Sequence, residues 1–136
     1  MALIKNSQKQ YLLHRGHDKI KDEYFYRPLG GGIEFSETGK TALEREIREE
    51  INQEITVSEL QDCYENIFTY EGQKGHEIVM LYSAEFNNKS VYQQQELDIY
   101  ESGVVIGKTV WRSVAEIKAE GAMLYPSGLE DLIDGQ

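Results

Sequence analysis

The chain has 136 residues, 40% of them hydrophobic and 28% charged, and its formal net charge is −10. This length and balance predict one soluble globular domain over residues 1–136. The negative charge argues against a protein that holds nucleic acid by neutralising its phosphates. It is compatible with a phosphorylated small ligand bound through divalent cations.

The sequence also disfavours a membrane or secreted protein, and a protein held together by disulfides or by zinc bound to several thiolates. It has no run long and apolar enough to span a membrane, and it does not start with a signal peptide. Cys63 is the single cysteine, which excludes an intramolecular disulfide and a zinc site built on several thiolates. We therefore expect a cytoplasmic protein with no membrane partner.

The first half of the chain predicts two short strands and then a helix, over residues 9–15, 22–27 and 38–51. Leu43, Ile47 and Ile51 recur every four residues and predict the buried stripe of the helix. Ser36 or Thr38 is placed to cap its start. A helix end is predicted at Asn52, because asparagine tolerates the left-handed conformation.

The second half is dominated by strand patterns. One or two strands are expected in residues 54–70, and further strands at 76–86 and 108–112, with a hairpin loop at 71–75. Two short helices are expected at residues 114–119 and 126–133. Strands before and after one central helix predict an α+β fold, a mixed sheet packed between helices in an α/β/α sandwich.

Three carboxylates of the predicted helix fall on one flank, beside its buried stripe. At about 100° per residue, Glu46, Glu49 and Glu50 share this arc, and the small Ala42 lies in it one turn earlier. Carboxylates this close repel one another, which tends to raise their pKa values. Divalent cations such as Mg²⁺, which take oxygen ligands, relieve the repulsion.

The same helix can also be interpreted without a functional site. A helix rich in glutamate and arginine is usually a solvated face whose charges pair along it, and Glu44, Arg45, Arg48 and Glu49 could do so here. The preceding Gly30–Gly32 could likewise be a simple turn.

The spacing from Gly31 onward resembles the Nudix box, G-x5-E-x7-R-E-U-x-E-E-x-G-U, where U is a bulky aliphatic residue. Two positions depart from it, because Asn52 replaces the last glycine and Gln53 the final aliphatic residue. Both lie beyond the carboxylates. Seven positions match: Gly31, Glu37, Arg45, Glu46, Ile47, Glu49 and Glu50.

The resemblance implies the Nudix fold and a pyrophosphohydrolase, an enzyme that cleaves a nucleoside diphosphate linked to another moiety by attack of water on phosphorus. It implies that Glu46, Glu49 and Glu50 bind Mg²⁺ or Mn²⁺, with the carbonyl of Gly30 as a possible further ligand. Glu46 or Glu50 would be the general base. Arg45 would pair with Glu37 or Glu49 and hold the carboxylates in place, so that Glu37 is structural.

In such proteins a further acidic residue outside the box often completes the metal site or acts as base. Glu77, on the strand predicted at 76–86, is the candidate for this role. The alternative is that Glu77 is an ordinary exposed residue of the strand with no part in the site. Three acidic residues of a later polar stretch are alternatives: Glu96, Asp98 and Glu101.

Arg27, Gly31 and Gly32 are the predicted substrate contacts, although a surface salt bridge explains Arg27 equally well. His14 and His17 are predicted as loop residues and not as ligands. The loops that would set specificity are expected at residues 16–23, 71–76 and 87–107.

Three functions compete at this point. The resemblance favours an active enzyme on a nucleoside triphosphate, a nucleotide sugar or a dinucleoside polyphosphate, with a homodimer possible. A nucleotide-sensing module that does not cleave its ligand is the alternative. A nucleic-acid-processing enzyme is disfavoured by the charge and by the absence of a basic stripe.

Overall fold

The computed structural model describes residues 1–134, which form two β-sheets and three α-helices. None of these helices is long and apolar enough to cross a membrane. The helices are α1 (Gly39–Ile51), α2 (Val114–Ala119) and α3 (Leu129–Asp134), with a 3₁₀ turn at Lys89–Gln93. The strands are β1 (Ala2–Leu3), β2 (Tyr11–Asp18), β3 (Glu23–Pro28), β4 (Ile55–Tyr70), β5 (Gln73–Phe86), β6 (Glu96–Glu101), β7 (Val104–Arg112) and β8 (Met123–Leu124).

The two sheets differ in size and are both mixed. The first has three strands in the order β1-β5-β4, with β1 parallel to β5 and β4 antiparallel to it. The second has five strands in the order β6-β7-β2-β3-β8, antiparallel except for the β3–β8 pair. Hairpin partners therefore stay adjacent, as is usual for short connections.

Helices cover the sheets on two sides, and each side has its own apolar core. Ile47 of α1 is fully buried in one core, whereas Ile117 of α2 and Leu129 of α3 lie in the other. Leu12 faces the first core and Leu13 the second, so β2 is buried on both faces, as alternation along a strand requires. The predicted α+β sandwich is confirmed.

Helix α1 begins and ends as its sequence predicts. The Thr38 hydroxyl accepts a hydrogen bond from the Thr41 N–H at 3.2 Å, so Thr38 is the cap and Ser36 is not. Asn52 has φ 55° in the left-handed region, and its N–H donates to the Arg48 carbonyl at 3.0 Å. The predicted stripe of Leu43, Ile47 and Ile51 is buried.

The prediction that His14 and His17 are loop residues is wrong. Strand β2 continues to Asp18, because β3 pairs with it from Pro28 opposite Leu13 to Glu23 opposite Asp18. The predicted hairpin loop at 71–75 is also too long. The turn needs only Glu71 and Gly72, whose φ angles of 48° and 80° suit a two-residue hairpin.

The predicted loop at 87–107 is wrong as well. Strands β6 and β7 form a hairpin there, and Ser102 and Gly103 make its turn with φ angles of 51° and 79°. The strand predicted at 108–112 is only the second half of β7. Residues 55–70 form one strand with register shifts near Leu60, and the last helix starts at Leu129 instead of 126.

A buried carboxylate ties the two sheets together at their hairpin ends. Asp18 is 2% exposed, and its Oδ1 accepts from the N–H groups of Ile20 at 2.9 Å and Lys21 at 3.1 Å. Its Oδ2 accepts from the Glu71 N–H at 2.9 Å, across the gap between the sheets. These hydrogen bonds, that of Glu71 foremost, lower the pKa of Asp18 below its ordinary value. The β2–β3 and β4–β5 turns are therefore held at a fixed separation.

Candidate active site

Arg45 fixes the loop before α1 to the helix. Its Nε and Nη2 donate to the two carboxylate oxygens of Glu37 at 2.7 and 2.9 Å, and Nη2 also donates to the Gly32 carbonyl at 3.1 Å. Glu37 accepts a further hydrogen bond from the Glu34 N–H at 2.9 Å. The pKa of Glu37 is lowered to about 2, chiefly by the bonds from Arg45. The paired side chains thus hold the loop in one conformation.

The same guanidinium reaches two carboxylates of the helix. Its Nη1 lies 3.0 Å from Glu46 Oε1 and 3.3 Å from Glu49 Oε2. The loop backbone also comes close to this group, because a Cβ added to Gly31 would collide with the Glu46 carboxylate. A larger residue at this position would therefore require the Glu46 carboxylate to move from its present place beside the loop.

Glu50 lies one turn after Glu46, and its carboxyl is partly buried. Its pKa is raised to about 7, first by burial and then by the negative charge of Glu46, while Arg27 opposes the shift. The repulsion expected from the helical spacing is therefore present at Glu50.

A cavity of about 670 Å³ opens between α1 and the β6–β7 hairpin. Glu46, Glu49 and Glu50 line it from α1, and the hairpin lines it from the other side with both apolar and polar residues. His14 of β2 and its cross-strand neighbour Arg27 of β3 form the floor. We call this the carboxylate cavity. Its hairpin residues are Ile99, Tyr100, Glu101, Ser102, Gly103 and Ile106.

A second cavity, of about 430 Å³, lies between the two sheets and is rich in aromatic side chains. We call it the aromatic cavity. The turns that Asp18 ties together border it at one end, where Lys21 Nζ also donates to the Thr69 carbonyl at 2.7 Å. Its aromatic residues are Phe25, Phe68, Tyr70 and Tyr125.

The other predicted residues are distributed around these cavities. Gly30 borders the carboxylate cavity, whereas Gly31 and Gly32 line a neighbouring cavity of about 380 Å³ that Arg27 and Gly30 also border. Glu77 lines that neighbour and the aromatic cavity, and it accepts a hydrogen bond from Asn66 Nδ2 at 3.1 Å.

Among the alternatives to Glu77, only Glu101 lines the carboxylate cavity. Glu96 lines none of the three cavities, and Asp98 Oδ1 lies 3.9 Å from Lys108 Nζ. The structure therefore brings Glu101, and not its two neighbours, to the side of α1 that bears the acids.

The hairpin that lines the cavity opposite these acids was not predicted from the sequence. Its signal was present, since buried Leu97 and Ile99 alternate with exposed Glu96, Asp98 and Tyr100, the period of a half-buried strand. Three glutamines just before this segment masked the alternation. His14 was missed for a different reason, because only the pairing of β2 with β3 places it beside Arg27.

The donor atoms of the site suit a hard divalent cation. Within residues 1–134, no three His, Cys, Asp or Glu side chains are grouped closely enough to hold a metal by themselves. Arg45 instead shares its bonds between Glu46 and Glu49. Carboxylate oxygens crowded at a cavity wall, with a carbonyl-bearing glycine loop beside them, are the set that Mg²⁺ completes with water and phosphate oxygens.

Comparison with known proteins bears on the family and the fold of the chain. The family model of the NUDIX domain matches residues 1–127. No curated protein sequence matches the chain. Among solved structures, a NUDIX hydrolase from Nitrosomonas europaea superposes with a TM-score of 0.65 at 19% identity, covering 98% of this chain and 82% of that one.

Two further solved structures share the fold. The MutT protein of Methanosarcina mazei Go1 has a TM-score of 0.59 at 20% identity, over 98% of this chain and 87% of that one. The Ap4A hydrolase of C. elegans has a TM-score of 0.55 at 20% identity, over 98% and 88%. At these identities the likeness establishes the fold and leaves the substrate open.

Proposed function

The chain belongs to the Nudix family, and from this we propose that it is a divalent-metal-dependent pyrophosphohydrolase acting on a small nucleotide-type substrate. Water would attack one phosphorus of a P–O–P bridge. One P–O bond would form as the bridging P–O bond breaks, and the proton of the water would pass to a carboxylate. The products would be two phosphorylated fragments.

The observation that carries this proposal is the crowding of Glu46 and Glu50 at the wall of a cavity whose floor is cationic. Burial and the charge of Glu46 raise the pKa of Glu50 to about 7, a cost that a bound cation removes. Mg²⁺ or Mn²⁺, when bound, would polarise a phosphoryl oxygen and lower the pKa of water.

Each residue of the site has a proposed role. Glu46, Glu49 and Glu50 would hold the cation with the carbonyl of Gly30, and Arg45 with Glu37 would keep them in position. Arg27 would contact phosphate oxygens from the floor of the carboxylate cavity, and the backbone of Gly31 and Gly32 would do so from the loop. The proton acceptor would be Glu46, Glu50 or Glu77. A homodimer and a cytoplasmic location remain predictions from the sequence.

The test is hydrolysis of a panel of nucleotide derivatives with Mg²⁺, with Mn²⁺ and with EDTA. Glu49→Gln and Glu50→Gln remove the charge of a proposed ligand, so we expect kcat to fall at least about 100-fold in each. Glu44→Gln makes the same change on the same helix at a residue that lines none of the three cavities, and its activity should stay unchanged.

Metal-independent turnover, or full activity in both ligand variants, would contradict the proposal. Tight nucleotide binding with Mg²⁺ and no turnover of any compound would instead favour the nucleotide-sensing module. Circular dichroism of each variant separates loss of a ligand from loss of the fold.

A further inference from the structure

We infer that Asn66 selects the base of the substrate, by accepting a hydrogen bond from an exocyclic amino group on a planar ring held in the aromatic cavity. This role rests on the proposed function, because the ligand is taken to be a nucleotide whose phosphates lie at the carboxylates of α1. It assigns to one side chain the discrimination between bases, which the proposed function leaves open.

Asn66 lies on the side of β4 that faces the aromatic cavity. It lines the cavity with Phe68 and Tyr70, and residues two apart along a strand share a face. Asn66 is only 6% exposed. A polar side chain so deeply buried is costly unless its donor and acceptor groups find partners, so its hydrogen bonds decide which ligand suits the cavity.

One end of the Asn66 amide is used within the protein. Its Nδ2 donates to Glu77 Oε1 at 3.1 Å, and the two residues lie directly opposite each other on β4 and β5. Because a carboxylate only accepts hydrogen bonds, this contact fixes which end of the amide carries the N–H groups. The other end, the carbonyl oxygen Oδ1, is an acceptor left for a different partner.

This acceptor opens into the cavity. Asn66 Oδ1 makes no hydrogen bond within residues 1–134, and no fully buried side-chain nitrogen or oxygen in that part of the chain lacks a partner. Oδ1 is therefore accessible from the cavity that Asn66 lines. By contrast, both oxygens of Asp18 accept backbone N–H groups, and Glu23 accepts from the Tyr125 hydroxyl at 3.0 Å.

Aromatic side chains of both sheets surround the acceptor. Phe25 occupies the space above its cross-strand partner Gly16, and Phe68 that above Gly75, so a Cβ on either glycine would collide with a ring. Phe25 also packs edge-on against Tyr70, with ring centroids 5.7 Å apart. Walls of this kind favour a flat ligand, whose edge then meets the polar groups of the cavity.

The aromatic cavity is connected to the proposed place of cleavage. His14 and Arg27 line both this cavity and the carboxylate cavity. A base beside Asn66 and phosphates beside Arg27 can therefore belong to one nucleotide.

An amino group suits Asn66 better than a ring N–H does. It projects from the ring edge and offers N–H donors without an attached oxygen. The ring N–H groups of uracil and hypoxanthine are flanked by carbonyl oxygens, which would approach the Glu77 carboxylate bonded to Asn66 and meet acceptor with acceptor. A base with no donor at this edge leaves Oδ1 desolvated and unpaired, which weakens binding.

The experiment compares nucleoside triphosphates that differ in one amino group, hydrolysed by the full chain with Mg²⁺. The pairs are the triphosphates of adenosine and purine riboside, of guanosine and inosine, and of cytidine and pyrimidin-2-one riboside. We expect kcat/KM to be at least about tenfold higher for the amino-bearing member of at least one pair, because a site with a buried acceptor rejects the analogue that lacks the donor. A smaller ratio in all three pairs would overturn the inference.

Asn66→Ala tests the residue itself. It removes the acceptor and also frees Glu77, so turnover of both members of a pair can fall. The ratio of their kcat/KM values cancels that shared loss, and we expect the ratio to come within about threefold of one. A ratio equal to that of the native chain would overturn the assignment to Asn66. If circular dichroism shows that Asn66→Ala is unfolded, Asn66→Leu, of nearly the same shape, takes its place.

Asn87→Ala is the matched control. Asn87 is exposed, accepts a hydrogen bond from Thr56 Oγ1 at 2.6 Å and lines none of the three cavities. The ratio within each pair should stay at its native value in this variant. A loss of preference as large as in Asn66→Ala would overturn the assignment, since the effect would not depend on the cavity.

Binding with Ca²⁺ in place of Mg²⁺ separates this inference from the proposed function. Turnover of the triphosphates without any preference within a pair overturns the inference and leaves the proposed function standing. If none of the triphosphates is hydrolysed, dissociation constants measured by calorimetry decide the inference instead. Binding at least about tenfold tighter for the amino-bearing member of one pair supports it. Equal binding within every pair, or no binding, overturns it.

Discussion

Arg45 is the residue on which the site geometry depends most directly. It is 20% exposed and bonds to Glu37, Glu46 and Glu49, so one side chain positions the loop and two proposed metal ligands together. Its planar guanidinium can serve three carboxylates because its donors point in fixed, different directions. Arg45 pairs with Glu49 along the helix, as the solvated-face interpretation expects, but its other contacts to Glu37 and Glu46 go beyond that interpretation. Exposed Arg48 pairs with Glu54, beyond the end of α1.

We predict that Arg45→Lys lowers kcat about 100-fold, because an ammonium cannot make the two parallel bonds to Glu37 and reach Glu46 as well, and small displacements of catalytic groups have effects of that size. The control is Arg48→Lys, since Arg48 makes the same two-bond contact with Glu54, at 2.7 and 3.1 Å, away from the cavities. Steady-state kinetics with Mg²⁺ measures both. Equal kcat in the two variants would show that Arg45 does not position the acids.

At the scale of elements, the sequence predicts α1 far better than the β6–β7 hairpin. The helix has three local signals that agree: the cap at Thr38, the four-residue apolar repeat and the end at Asn52. The hairpin depends on pairing between strands, and its turn, Ser102–Gly103, lacks the usual Asn-Gly or Asp-Gly pair. The carboxylates were therefore predictable, while the wall that faces them and the aromatic cavity between the sheets were not.

The helix end itself yields a prediction. Asn52 has φ 55°, where a residue with a Cβ other than asparagine or aspartate is strained by about 1–2 kcal/mol. We expect Asn52→Ala to lower the free energy of unfolding by about 1 kcal/mol and Asn52→Gly to stay within about 0.5 kcal/mol of the native chain. Urea unfolding measures the difference. An alanine variant as stable as the glycine one would mean that the left-handed cap is not maintained.

At the scale of the whole molecule, the placement of Glu50 beside Glu46 lowers the stability of the metal-free fold. The chain carries a net charge of −10, and it places Glu50 half-buried beside Glu46. At the hairpin ends, Asp18 bonds to both the β2–β3 turn and the β4–β5 turn and so joins the two sheets. Strain of this kind at a site, compensated by packing elsewhere, is typical of functional carboxylates.

The destabilising effect of Glu50 can be tested by the pH dependence of the free energy of unfolding of the metal-free protein. The folded state raises the pKa of Glu50 from 4.5 to about 7. Below pH 4.5 the carboxyl is protonated in both states and adds no penalty. As the pH rises from 4.5 to 7 the unfolded chain loses this proton while the folded one keeps it, so stability falls, and the full penalty is present above pH 7.

Glu50→Gln removes the ionisable group, and we predict that it stabilises the metal-free protein at pH 8 but not at pH 4, by at most about 3 kcal/mol. Melting temperatures in EDTA across this range measure the difference, and Glu44→Gln serves as the matched control with no such trend. Added Mg²⁺ should then raise the melting temperature of the native chain at pH 8 more than that of Glu50→Gln, because the variant keeps Glu46 and Glu49 but lacks the third proposed ligand carboxylate and its repulsion. Parallel pH profiles for the native chain and Glu50→Gln would contradict the idea that repulsion at Glu50 is relieved by metal.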